Sequence, residues 1–454
     1  TLGGQSGPAV ESVRNDLLWQ NMEDEWFHLA ALAVPDLPLA GIWDQAKARF
    51  DAGKTVGVVH FAGRLAALSV LRQDEDLVKK MLFDVVSGSS EQAWWRAGVL
   101  DGLAEGSRGR RGWTAQLSGE TKSLPLQALV DEDSFVRTGA ITLLRRWGLP
   151  QDKNAVNAAL QNAVKTAGQA GNNTGQVAHA LEFLSLAAPD QNESLFKKML
   201  SPDQAVDIQL AALKGVAAIK GSASYQWLLG KWPTLTPELR NAVVQAAFSD
   251  TQRMHLLLDA VAGGKVDASA IEWPRQVNLM NNDDEQVRQH ARQVLAGPAP
   301  AADSLLQSYL TSIQIEGDWL KGKAVFEQSC ALCHQIQGDI GHAFGPDLDA
   351  VRNRTKAALI EAIVLPGRSI ADGYELWTIS GVNGEVYSGV IASETANSLS
   401  VRMAGGAEQT IDRSTVQNIT ASPVSAMPPD LYKQITPAAM ADLLAFLKNE
   451  HAPN

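Results

Sequence analysis

The chain has 454 residues and a formal net charge of −11. That length suits two or more domains, each with a core of its own. The acidic balance, with no clustered Lys and Arg, argues against nucleic acid as a partner, and the apolar runs are too short for a membrane span to be expected. The opening Thr1-Leu2-Gly3-Gly4-Gln5 lacks the basic start and apolar stretch of a signal peptide, which leaves a cytoplasmic chain or a mature, trimmed product.

Residues 1–300 read as helix after helix, with apolar residues at i, i+3, i+4 and i+7 and turns rich in Gly, Pro or Asp. One phrase recurs. Asp131-Glu132-Asp133-Ser134 leads into Phe135-Val136-Arg137, and the acidic turn is suited to cap the helix that follows. Asp74-Glu75-Asp76 precedes Leu77-Val78, Asp203 precedes Val206-Asp207-Ile208-Gln209, and Asp283-Asp284-Glu285 precedes Val287-Arg288. An acidic turn followed by Ala and Leu at helical spacing resembles HEAT-type repeats, which bury each helix pair on its neighbours. The five scattered histidines here, His28, His60, His179, His255 and His290, read as ordinary surface or core residues.

The Ala- and Pro-rich Gly297-Pro298-Ala299-Pro300-Ala301-Ala302 marks a boundary, so the expected domains are 1–300 and 301–454. A helix-like segment through Trp319, Gly322 and Phe326 leads to Cys330-Ala331-Leu332-Cys333-His334. Another helix fits Lys356–Val364. Strands are expected at 376–380 and 386–391 around an Asn383-Gly384 turn, and again at 398–403 and 409–411. A last helix fits Pro437–Lys448.

The only two cysteines of the chain sit in that C-x-x-C-H stretch. A zinc site would need further ligands, and no third cysteine exists. A thioredoxin-like pair would follow a strand and open a helix, whereas a helix-like stretch precedes this one. The spacing therefore points to one covalently attached haem c, with thioether bonds from Cys330 and Cys333 and His334 as axial ligand. In bacteria such attachment takes place outside the cytoplasmic membrane, so a periplasmic or otherwise exported location is expected. Arg352, Arg354 and Arg368 are placed to offset propionate charge or to lie on the surface. The downstream candidates for a second axial ligand are His342, Met403, Met427 and Met440. Met403 falls in an expected strand and Met440 in the last helix. His342 follows His334 closely, and Met427 lies in a loop stiffened by Pro428 and Pro429.

Gly345-Pro346-Asp347-Leu348 resembles the loop after the haem motif in class I cytochromes c, which implies that the Pro346 carbonyl accepts a hydrogen bond from His334. The same resemblance favours Met427, before the last helix, as second ligand. The run from Gly322 onward also resembles the haem-binding cytochrome domains of planctomycetes and verrucomicrobia. Its marks are the C-x-x-C-H stretch, Gly345-Pro346-Asp347-Leu348, Leu365-Pro366, Arg368-Ser369-Ile370, Gly373-Tyr374-Glu375 and Met427-Pro428. The fold implied is mainly α: a HEAT-like solenoid, then a class I cytochrome c domain with a small antiparallel β insert at about 374–420.

The function implied is electron transfer, as the electron-accepting module of a larger quinoprotein-type dehydrogenase. Its partners would be a dehydrogenase donor and a cytochrome or other acceptor. No propeller is evident, so Thr1 is expected to be a fragment boundary. A haem-based sensor or scaffold, with the helical array binding a partner, is the alternative. No set of Asp, Glu or Ser residues makes a catalytic site of its own, and a di-haem peroxidase would need a second attachment motif.

Overall fold

A computed structural model describes residues 8–34, 37–50, 55–169, 173–295, 304–338, 340–367, 370, 373–422, 425–428 and 431–449. The expected linker at 297–302 and Arg368 lie outside these residues. The chain falls into two compact units, 1–192 and 193–454.

The first unit is helical throughout its described residues. Helix Val56–Leu71 packs on Ala93–Gly106, which packs in turn on Ser134–Trp147. Trp95 is buried at the centre, stacked on Phe50 and edge-on to Trp43.

The recurrent acidic phrase has a physical basis. Asp131 Oδ1 accepts from Asp133 N (3.0 Å), and Asp133 Oδ1 caps the helix by accepting from the amides of Phe135 (2.8 Å) and Val136 (3.1 Å). Buried Arg137 then reaches back and donates to the carbonyls of Asp131 (2.6 Å) and Glu132 (2.8 Å). In the second unit Asn282, Asp284 and Arg288 repeat these bonds at the same spacing. Gln209 plays the arginine's part toward the carbonyls of Ser201 and Gln204. In these three turns a side chain supplies partners for the turn carbonyls.

The second unit begins with helices from Glu193 to Leu295 and continues into the haem-motif region. There helix Trp319–Ser329 crosses helix Pro437–Leu447. Phe446 meets Trp319 edge-on and packs on Phe326. The approach is backbone to backbone: a Cβ on Gly322 would stand 1.9 Å from the Asp442 carbonyl oxygen. Asp442 Oδ1 also accepts from Asp318 N (2.7 Å), at the start of the first helix. Helix Lys356–Val364 completes this core through Leu359, Ile360 and Val364. Met440 is fully buried in it.

The strands are β1 (Gln335–Ile336), β2 (Ile340–Gly341), β3 (Trp377–Gly381), β4 (Val386–Glu394), β5 (Ser398–Arg402), β6 (Glu408–Asp412) and β7 (Val416–Ala421). The first two form a short antiparallel pair. The other five form one antiparallel sheet in the order β6-β5-β4-β3-β7, with Trp377, Ile379, Leu399, Val401 and Ile419 in its core. The expected turn at Asn383-Gly384 joins β3 to β4, with Gly384 at φ 81°. Strand β7 was not expected. Met403 stands just past β5, in the turn to β6, where its amide donates to the Ala407 carbonyl.

Adding a methyl at Gly322 should push the two crossing helices apart. Gly322→Ala is expected to cost about 1–3 kcal/mol in denaturant unfolding. Gly230→Ala, with nothing within 4 Å of the new Cβ, should stay within about 1 kcal/mol of the parent. Equal unfolding midpoints for the two variants would contradict the described helix crossing.

Candidate functional site

Cys330 sits at the C-terminal end of helix Trp319–Ser329, where its amide donates to the Phe326 carbonyl (2.8 Å). The chain then makes one tight turn, with the amides of Cys333 (3.0 Å) and His334 (2.9 Å) both donating to the Cys330 carbonyl. That turn brings Cys330, Cys333 and His334 onto the wall of one cavity. The β1–β2 pair folds the following chain back, so that the amides of Phe344 (3.0 Å) and Gly345 (2.5 Å) converge on the Cys333 carbonyl. Pro346 thereby comes beside the histidine.

The His334–Pro346 contact is a hydrogen bond of 2.8 Å from Nδ1 to the Pro346 carbonyl oxygen. A carbonyl only accepts, so Nδ1 carries the proton and the lone pair is left on Nε2. Burial holds the imidazole pKa below its ordinary value, partly opposed by the Pro346 bond, which keeps the ring neutral. A neutral imidazole with a free Nε2 is what a metal ligand requires. Gly345 gives the ring its room: a Cβ there would stand 2.6 Å from His334 Cε1.

The two thiols lack the setting that activates a redox pair. Burial, with Cys333 close by, pushes the Cys330 thiol up to about 12, and burial also raises Cys333. Reactive thiolates gain their low pKa from a helix N-terminus or a nearby cation. Cys330 instead closes a helix at its C-terminal end. Among the described residues no group of three or more His, Cys, Asp or Glu is arranged to hold a metal ion.

The cavity has an empty volume of about 1200 Å³, including its open mouth. Its lining is chiefly apolar, with Phe344, Leu348, Leu359, Ile363, Leu443 and Leu447 among the residues that face it. Met427 lines it too, as do Ser425 and Ala426. His342 is exposed and absent from the lining. Arg354 lines the cavity, whereas Arg352 turns to Asp349 (2.6 Å). The carbonyls of both arginines accept from Lys448 Nζ, which ties their loop to the end of the last helix. Tyr374 and Val390 also line the cavity; alternation along a strand gave no sign that this region would face it.

The residues fit a haem. Two thiols and a neutral imidazole share one wall, a thioether lines the same space, and the volume between them is apolar. No curated protein matches the chain. Residues 320–384 match the family model for cytochrome c, a segment that contains Cys330, Cys333, His334 and Pro346 and ends before Met427. The chain thus carries a cytochrome c domain at residues 320–384, which implies haem c as its cofactor and haem-based electron transfer as its role.

Proposed function

We propose that the chain transfers electrons through a single haem c ligated by His334 and Met427, in the periplasm or another exported location. The observation that carries this reading is the shared cavity: Cys330, Cys333, His334 and Met427 all line it, while His342 does not. Met440 is fully buried in the helix core and Met403 lies in a turn of the sheet, which supports Met427 over both. We assign 301–454 as the cytochrome domain, with 374–420 as its β insert, and 1–300 as HEAT-like repeats. The repeated Asx-turn, cap and arginine pattern supports the last of these.

When bound, the iron porphyrin supplies a one-electron couple. The protein's residues do the rest. Cys330 and Cys333 would hold the porphyrin covalently through thioether bonds. Pro346 holds His334 in one tautomer and one orientation. The apolar lining would keep most water away from the iron, so little solvent would need to reorganise when an electron moves. A Met427 thioether on the iron would favour the reduced state relative to a second histidine and would leave no open position for peroxide or oxygen. Arg354 is placed to offset propionate charge. Electrons would come from a dehydrogenase, in the wider reading one of quinoprotein type encoded with this chain, and would leave to another cytochrome or carrier. Among the described residues no helix is long and apolar enough to cross a membrane.

Expressed in a host that attaches haem c, the protein should show a reducible low-spin spectrum and keep its haem through denaturation. Replacing both cysteines (Cys330→Ala with Cys333→Ala) should release the haem on denaturation. A high-spin iron in the parent protein would overturn the proposal.

Removing the thioether tests the sixth ligand. Met427→Ala should open that site to rapid carbon monoxide binding, and Met427→His should lower the midpoint potential by on the order of 0.1 V. His342→Ala should change neither. The reverse pattern would assign the ligand to His342.

A further inference from the structure

Arg240, on helix Pro237–Ala247, ties that helix to the start of the sheet. Arg240 is 4% exposed. It donates from Nη1 to Glu375 Oε1 (2.5 Å) and from Nε to the Trp232 carbonyl (3.1 Å). Its guanidinium carbon lies 4.7 Å from the Trp377 ring centroid and 5.1 Å from that of Trp232. An ion pair combined with two indole faces uses the planar guanidinium in a way that a lysine ammonium does not reproduce. Among the described residues the second oxygen of Glu375 is buried without a hydrogen-bond partner. Arg240 Nη1 and Glu375 Oε1 form the ion pair at this carboxylate.

Glu375 sits where the sheet meets the haem cavity. Tyr374, just before it, lines the cavity. The Leu376 carbonyl, just after it, accepts from Ser422 N (2.7 Å), and Trp377 pairs with Ala421 across β3 and β7. Beyond Ser422 the chain goes on to Ser425, Ala426 and Met427, all on the cavity wall. Tyr374 and the Ser425–Met427 stretch thus both lie within a few residues of this paired end of the sheet in sequence, and Arg240 pins that end through Glu375 and Trp377.

We propose that Arg240 and Glu375 are positioning residues for the sixth-ligand segment: they fix the β3–β7 edge from which Met427 reaches the cavity. The helices before the haem motif thereby set how firmly the thioether is held. This inference rests on Met427 being the ligand. Losing the clamp lowers the free energy of a local opening without abolishing the fold.

The test uses the full haem-loaded chain and the variants Arg240→Lys, Glu375→Gln, Met427→Ala and Arg96→Lys. Arg96 is a buried arginine of the first unit, paired with Asp131, and it serves as a comparator for general destabilisation. The readouts are the methionine-to-ferric-iron charge-transfer band and the rate of carbon monoxide binding to the reduced protein. Both clamp variants should weaken the band and bind carbon monoxide roughly tenfold faster, in keeping with the loss of a charge-assisted bond. Arg96→Lys should lower the unfolding midpoint and leave both readouts as in the parent. If Arg240→Lys fails to accumulate, the near-isosteric Glu375→Gln decides the matter. A band that Met427→Ala removes but the clamp variants keep, with parent rates of carbon monoxide binding, overturns this inference alone. A parent protein with no such band overturns the ligand assignment first, and this inference with it.

Discussion

The site depends on one turn of backbone. Between Cys330 and His334 the chain must present two thiols and an imidazole to the same wall, and it does so by gathering the amides of Cys333 and His334 onto one carbonyl. The return of the chain through β1 and β2 then sets Pro346 against Nδ1. That single acceptor decides which ring nitrogen keeps its lone pair. Without it the imidazole could rotate or change tautomer, and with the proton on Nε2 that nitrogen has no lone pair to offer.

A turn this short cannot hold itself in place. Its anchor is the crossing of helix Trp319–Ser329 with helix Pro437–Leu447, where Gly322 allows one backbone to touch the other. The crossing also lines the cavity, since Leu443 and Leu447 of the last helix face the same space as His334. Helix packing and ligand geometry are thus one problem: a shift of the last helix moves both the floor of the cavity and the Lys448 tie to the Arg352–Arg354 loop.

Much of this was legible in the sequence, for reasons that differ from part to part. The attachment motif is readable because covalent chemistry demands fixed spacing, and with only two cysteines no rival pairing exists. Strands β3 to β6 are readable from β-branched runs around Asn383-Gly384 and Gly405-Gly406. Strand β7 is not, because Val416-Gln417-Asn418-Ile419-Thr420-Ala421 is half polar and takes its place from pairing with β3, far earlier in the chain. Propensity says little about a strand whose partner is so distant. The two arginines of one loop were equivalent in the sequence, yet Arg354 faces the cavity and Arg352 an aspartate. Side-chain direction in irregular backbone has no period from which to read it.

The link between Arg240 and Glu375 was equally hidden, and its place in the fold explains why. Neither residue belongs to a motif of the haem turn, and they meet only because helix and sheet have already packed. A buried ion pair of this kind adds little net stability over an apolar substitute, since desolvation offsets most of its attraction. What it does supply is geometric: the guanidinium plane must lie near two indoles and meet one carboxylate oxygen, which admits few arrangements of helix against strand. Such a contact is better suited to fixing a position than to holding a fold together. The position it fixes is the end of the sheet next to Tyr374, a residue of the cavity wall, so a helix of the second unit is joined by geometry to the site that the attachment motif builds.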